Sequence, residues 1–453
     1  MIRKNVIKPK VKLNDLPESF YNPESIKVAD LRTIKDLLNI QKSRLDNISD
    51  NFLKYIMKSL DKYYALHKLL KRKYNAQIVT NAWLKCYEII NEFNLVTADN
   101  CDVFLNAELP GSFICSINHY IKTKTDFNFN WMASSYIGDH GLADRYYIYE
   151  YNKQNWVMNS ECNGDITDIN NIDYIENKVF ERFPSGVGLY TSDIGVDASN
   201  NYSEQEQLNS LEHLGQIILG LRILKKGGNM FIKQYTYFTS YSISLIIILS
   251  IVFDHLYICK PLTSKPTNSE IYIVCKGYNG INFKLLTVLI NALTTNKKNK
   301  TLPTNSLINL NLDIFDLTIG NLIDITKLIH YDKQCKILEY TLNAIDSIIC
   351  DCNVNVILNS NAITNYKRNI HTDQELDYNI QNTMDNLIKL TQYSCSKCNN
   401  VKWKKVKTRP SPAKQYLFSF NNNIYEHNKW LFFNNIYFLS DNNHIKTKYS
   451  MAK

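Results

Sequence analysis

Ser203–Tyr235 reads SEQEQLNSLEHLGQIILGLRILKKGGNMFIKQY, a helix pattern followed at once by a strand pattern. Ser203 and Glu206 make an S-x-x-E capping box, in which a hydroxyl and a carboxylate each satisfy an orphan backbone N–H at a helix start. Leu208, Leu211, Leu214, Ile217 or Ile218, Leu221 and Leu224 recur along one helical face, and Lys225, Lys226, Gly227 and Gly228 supply a basic last turn and a glycine stop. The strand NMFIKQY follows directly. Such units in alternation imply an α/β fold with a parallel sheet. Lys233 then sits towards the C-terminal end of its strand, the edge where open α/β sheets bind ligands.

Working outward, the strand-like YTSDIG puts Asp193 at the same edge, while Lys85 in NAWLKCYE and Glu270 in PTNSEIYIVCKGY lie beside further strand-like stretches. Asp193, Lys233 and Glu270 follow one another at intervals of 40 and 37 residues, each about one helix plus one strand with their loops. Helix-like and strand-like stretches alternate over residues 75–280. Residues 1–74 read as a helical extension, with Leu31, Ile34, Leu37 and Leu38 and then Phe52, Tyr55, Ile56 and Leu60 at helical spacing. The cluster Lys68, Lys71, Arg72 and Lys73 closes that extension, either as a solvated face or as a contact for an RNA backbone. Residues 281–453 include a polar linker, TTNKKNKTLPTNS, and continue with helix-like patterns from Leu307 to Ile349. From Cys395 onward the runs QYLFSF, IYEHNKWLFF and NIYFL predict a small β-rich end.

The 453 residues carry 52 Lys and Arg against 43 Asp and Glu, a net charge of +9 that leans towards polyanionic partners. Eleven cysteines, with no apolar leader after MIRKNVIKPK, argue for reduced thiols in a cytosolic setting. The apolar part of SYSISLIIILSIVFDHLYIC, Ile243 to Phe253, is far short of the ~20 residues a bilayer needs, so it reads as a buried helix feeding a buried strand. No membrane partner is expected. Cys350 with Cys352 and Cys395 with Cys398 form two thiol pairs, but 42 residues separate them and the first has a one-residue gap, so no metal site is assigned. GxxxxGK[ST] and HExxH are absent, which removes the simplest NTPase and zinc-protease readings.

VFLNAELPGSF, Val103 to Phe113, reads as a strand, an acidic-Pro-Gly turn and a helix start, a loop form that lets backbone N–H groups approach an adenosine-bearing ligand. ELPGSF resembles the cofactor loop of the FtsJ-like (RrmJ-type) S-adenosylmethionine-dependent RNA 2′-O-methyltransferases, and SDIG, GGNMFIK and KPTNSEIYIVCKG resemble that family's later motifs in the same order. KPLTSKPTNSEIYIVCKGY is similar to the mRNA cap ribose methyltransferases, and YNAQIVTNAWLKCYE to the FtsJ-like proteins of large cytoplasmic DNA viruses such as African swine fever virus. The resemblance covers about Tyr74 to Tyr278.

It implies a Rossmann-like methyltransferase core, a mostly parallel seven-stranded sheet with helices on both faces, flanked by a helical N-terminal and a mixed C-terminal extension. It also implies a catalytic tetrad of Lys85, Asp193, Lys233 and Glu270, with Lys233 as general base. S-adenosylmethionine would be held by Glu108, Pro110, Gly111 and Ser112, with Asp165 near the adenine and Asp193 completing the pocket. Ser112 stands where the family loop usually has a second glycine, which is costly only if its φ is positive or a Cβ has no room. A ribose hydroxyl needs its proton removed before in-line attack. Lys85 and burial would lower the pKa of Lys233 while Asp193 and Glu270 oppose this, and the sequence leaves the balance open. The implied substrate is the 5′ end of capped mRNA, in the host cytoplasm, a viral factory or the virion, with other capping or transcription proteins as partners. Another RNA, ribosomal or transfer, and a catalytically weak RNA-binding subunit of a capping complex are the alternatives.

Overall fold

The computed structural model describes residues 1–45, 63–138, 143–158, 160–196, 202–339, 341–343 and 424–451. The strands are β1 (Ile2–Asn5), β2 (Asp102–Asn106), β3 (Asn130–Ala133), β4 (Val187–Ser192), β5 (Leu224–Gln234), β6 (Phe253–Lys260) and β7 (Ile271–Tyr278). The principal helices are α1 (Ala29–Ser43), α2 (Tyr64–Tyr74), α3 (Asn81–Phe93), α4 (Ser112–Lys124), α5 (Ile169–Arg182), α6 (Ser210–Ile223), α7 (Ser240–Val252), α8 (Phe283–Asn299), α9 (Asp316–Thr326) and α10 (Ile424–Asn434). One seven-stranded sheet runs in the order β1-β6-β7-β5-β4-β2-β3.

The two-residue period of the strands divides the core. Phe104, Tyr190, Met230, Ile232 and Ile273 face a core built with α5, α6, α7, α8 and α9. Their neighbours Val103, Leu105, Leu189, Phe231, Tyr272 and Val274 face a second core built with α3 and α4. Helices thus cover both faces, and the central strands are apolar on both sides. The apolar stretch read as a buried helix and strand is α7 and β6, with every residue from Tyr241 to Val252 buried. Among the described residues no helix is long and apolar enough to cross a membrane.

Several expectations need correction. The sheet is mostly parallel as expected, with β2, β3, β4, β5 and β6 running in one direction, but β7 runs antiparallel to both β5 and β6, and edge strand β1 antiparallel to β6. The N-terminal extension is not purely helical, because β1 forms the sheet edge. Val6, Phe20 and Leu31 before the core segment, and Leu285, Leu289 and Phe315 after it, share one buried cluster with the sheet. Helix α6 ends at Ile223, and Lys225–Gly228 belong to β5, where Gly227 takes φ 77 beside a register shift against β4. Glu206 is engaged with the turn after β5, where its buried carboxylate accepts from Thr236 Oγ1, the N–H groups of Phe238 and Thr239, Thr239 Oγ1 and Ser242 Oγ at 2.7–2.9 Å.

At the C-terminal end IYEHNKWLFF is helix α10, not a strand run. Trp430 and His427 are buried on one side of it while Phe432 and Phe433 stay exposed, so burial of a helical face overrides the aromatic strand propensity. NIYFL is irregular, and QYLFSF lies outside the described residues. Also outside them are Phe52, Tyr55, Ile56 and Leu60, the thiol pairs at Cys350, Cys352, Cys395 and Cys398, and the basic run KWKKVK.

Candidate active site

Four strand ends are tied together laterally at the carboxyl edge of the sheet. Ser134 Oγ, just beyond β3, donates to Asn106 Oδ1 at 3.1 Å, and Asn106 Nδ2 donates to Ser192 Oγ at 3.0 Å. Asp193 follows Ser192 and leaves β4 beside the end of β5, where the backbone carbonyl of Asp193 accepts from Lys233 Nζ at 2.7 Å. The Asp193 carboxylate lies 3.3 Å from the same Nζ and accepts from Tyr272 Oη at 2.8 Å. Tyr272 pairs with Lys233 across β5 and β7, which places both side chains on one face.

Glu270 immediately precedes β7, and its Oε1 lies 2.5 Å from Lys85 Nζ and 3.0 Å from Ser264 Oγ. Lys85 reaches it from α3, whose first turn is capped by Thr80. The four residues named from sequence therefore meet as two ion pairs, Lys85–Glu270 buried and Lys233–Asp193 partly so. Burial pushes the Glu270 carboxyl up, but Lys85 and Lys233 outweigh it and hold the group down to about 2. For Lys233 burial pulls the pKa down, yet Asp193, Tyr235 and Glu270 together raise it above the ordinary lysine value. The balance left open by the sequence thus falls to the carboxylates.

The loop between β6 and β7 that delivers Glu270 is clamped at three places. Glu88, one turn beyond Lys85 on α3, accepts from the N–H groups of Leu262 and Thr263 and from Thr263 Oγ1 at 2.7, 3.1 and 2.5 Å, and also from Trp430 Nε1 of α10 at 3.0 Å. Gln334 Nε2 holds Thr267 O and Ser269 Oγ at 3.0 and 3.1 Å from a π-helical turn, Lys327–Cys335. Lys260, at the end of β6, donates to Asn268 O, Asn268 Oδ1 and Glu270 O at 2.8, 3.2 and 2.8 Å. Burial, opposed by Glu270 and reinforced by Lys85 and Lys42, lowers the Lys260 pKa to about 7. Lys260, Tyr272, Glu88 and Gln334 were not picked out from sequence. The one available signal was the lysine opening KPLTSKPTNSE.

The ELPG turn lies beside this centre. Ala107 takes φ 56, the Leu109–Pro110 bond is cis, and Gly111 takes φ 101. Glu108 is buried and its Oε1 accepts from the N–H of Ile114 at 2.9 Å in the first turn of α4, while burial first and then the charge of Asp193 raise its pKa. Ser112 opens α4 without a positive φ, and its hydroxyl accepts from Thr80 Oγ1 at 2.9 Å, so serine carries no backbone strain there. The charge of Asp193 acts on Glu108 between the ends of β2 and β4, and a cationic ligand such as a sulfonium would relieve that repulsion. Asp165 is engaged elsewhere: its carboxylate takes Lys297 Nζ at 2.6 Å and Thr167 N and Oγ1 at 2.9 and 2.7 Å. Lys68, Lys71, Arg72 and Lys73 lie exposed on α2, the helix before the one that carries Lys85. Among the described residues no group of histidine, cysteine or acidic side chains could hold a metal ion.

Residues 78–278 match the model of the FtsJ-like methyltransferase family. The "Probable methyltransferase EP424R" of African swine fever virus is 40% identical over 271 residues, 56% of this chain and 62% of that protein. The "Cap-specific mRNA (nucleoside-2'-O-)-methyltransferase 2" of Drosophila melanogaster is 29% identical over 260 residues, covering 55% of this chain and 37% of its own length. The protein of the same name from Mus musculus is 30% identical over 223 residues, 47% of this chain and 29% of its own. The match therefore spans less than two thirds of each relative. With the sheet, the loop and the motif order in agreement, the chain carries an FtsJ-like methyltransferase domain.

Proposed function

We propose that this protein transfers a methyl group to a ribose 2′-hydroxyl near the 5′ end of capped mRNA, with S-adenosylmethionine as donor. The observation that carries the reading is the meeting of the Lys85–Glu270 and Lys233–Asp193 pairs at the carboxyl edge of the sheet. The cap-specific names of two relatives favour capped mRNA over ribosomal or transfer RNA. The viral relative supports work in the cytoplasm of an infected cell.

When bound, the cofactor supplies an electrophilic methyl and a positive charge beside Asp193. Glu108, Pro110, Gly111 and Ser112 form the turn that would hold it, and Asp165 would reach an adenine only by exchanging its bond to Lys297. Lys233 Nζ would take the proton of the ribose hydroxyl as its oxygen attacks the methyl in line, the S–C bond breaking to release S-adenosylhomocysteine as the C–O bond forms. Lys233 must be neutral for that step, and here its neighbours hold it protonated. The cationic Lys85 and the neutralisation of Asp193 by the bound sulfonium work towards the neutral form. Tyr272 keeps Asp193 from swinging away, and the clamped loop keeps Glu270 on Lys85.

The test supplies labelled S-adenosylmethionine with capped and uncapped copies of one RNA, then digests the product to locate the label. Label on a 2′-oxygen near the cap is expected. Equal labelling of both RNAs moves the substrate to another RNA, and no label on either removes the enzymatic reading.

A further inference from the structure

The segment 143–156 and the C-terminal end meet in a cluster that the tetrad does not use. Tyr147 and Tyr151 are 49% and 40% exposed, and their ring centres lie 6.2 Å apart. Tyr449, 61% exposed, lies 6.1 Å from Tyr146 by ring centre. Lys448 Nζ stands between them, 5.5 Å from the Tyr147 ring centre and 5.2 Å from that of Tyr449. Arg145 is exposed beside them.

Two features separate this cluster from scattered surface tyrosines. Tyr147 takes φ 55, a left-handed conformation that a bulky residue rarely adopts. The strain is held in place: Asp144 accepts from the N–H groups of Ile148 and Glu150 at 2.8 and 3.1 Å, and Lys448 N donates to Tyr146 O at 3.0 Å. Asn152 Nδ2 bridges Ile148 O and Lys446 O at 2.7 and 2.9 Å. The position also matters. Ile148, the next residue, packs on the ELPG turn so closely that a Cβ at Gly111 would lie 2.5 Å from its Cδ1. Exposed tyrosine rings with a lysine between two of them bury little apolar area, so they contribute little to folding. They match single-stranded nucleic acid, whose bases stack on such rings while its phosphates meet the cations.

We propose that Tyr147, Tyr151 and Tyr449, with Lys448 and Arg145, form a stacking platform for a base of single-stranded RNA next to the cofactor loop. The proposal rests on reading the chain as an RNA ribose methyltransferase and names where that RNA lies.

The full-length protein is titrated into a fluorescein-labelled twelve-nucleotide RNA, capped or uncapped, and binding is read by anisotropy. Tyr449→Ala and Tyr151→Ala should each weaken binding about tenfold, and Tyr449→Phe should restore it, because the ring and not the hydroxyl stacks. Melting temperature and S-adenosylmethionine affinity stay unchanged, and the RNA KM rises by the same factor at constant kcat. Equal loss on both RNAs puts an internal base on the platform, and loss on the capped RNA alone puts the cap guanine there. Both alanine variants binding both RNAs as tightly as wild type overturns the proposal. A wild-type protein that binds RNA without methylating it removes the enzymatic reading, while the variants still decide the platform.

Discussion

Replacing Lys85 with methionine removes the ammonium of the most enclosed ion pair at the site while keeping most of the side-chain volume. The pair closes at 2.5 Å with both side chains about 10% exposed, so solvent screens it little. Glu270 is held at about 2 against an ordinary 4.5 despite its burial. Because the folded-state pKa is the lower one, the stability it contributes is present above pH 4.5 and is lost as pH falls towards 2. That drop corresponds to about 3 kcal/mol, in the range of about 3–5 kcal/mol for breaking one side of a buried pair. In Lys85→Met the carboxylate keeps Lys233 and Ser264 but loses its nearest cation, so its pKa rises. Urea unfolding at pH 7 should then show a loss of about 3 kcal/mol, and the decline in stability on acidification from pH 4.5 should become shallower than in wild type. Lys85→Met with wild-type stability at pH 7 and an unaltered acid limb would refute the argument, since the pair would then contribute nothing measurable.

Lys233→Ala should lower methyl transfer by roughly 10²–10⁴-fold while calorimetry still detects S-adenosylmethionine binding; near-normal turnover would remove Lys233 as the base. Ser112→Gly should leave cofactor affinity within about twofold and cost about 1 kcal/mol, through loss of the bond from Thr80, in thermal unfolding. A clear loss of affinity would instead make the hydroxyl a ligand contact. Replacing Lys68, Lys71, Arg72 and Lys73 together with glutamine should raise the RNA KM and flatten the salt dependence of binding by about 0.7 per lost phosphate contact. An unchanged slope assigns these residues to a solvated helix face. Trp430→Phe should destabilise the protein by about 1.5–3 kcal/mol, because a buried carboxylate loses a donor, and should speed amide exchange in residues 261–270. Unchanged exchange there would mean that α10 does not brace the loop.

How much of this was legible depends on the range of the interaction that decides each feature. The α6–β5 unit, the ELPG turn and the alternation of helix-like and strand-like stretches over residues 75–280 are local patterns, and they appear in the structure close to where the sequence puts them. The direction of β7 is not local. An antiparallel strand in a parallel sheet carries the same apolar run as its neighbours, since it too is buried on both faces, so hydrophobic patterning cannot report it. Helix α10 was misread for a related reason: strand propensity acts locally, whereas Trp430 is fixed by Glu88, 342 residues away.

The four residues of the proposed tetrad can be named from sequence because each lies in a motif of its own, but what holds them together cannot. Lys260 illustrates the difference. In the sequence it is one lysine at a strand end, a position more often exposed. In the structure its ammonium meets acceptors from residues eight and ten positions later, on a loop whose path is set by Glu88 on α3 and Gln334 in the π-helical turn. Its three donors need those acceptors within a buried space, because an ammonium without them would cost several kcal/mol to bury. The loop in turn needs the ammonium to hold its two ends together. Lys260 and Glu270 are thus positioned by the same set of distant contacts, and a pattern confined to the neighbourhood of either residue contains neither partner of the clamp.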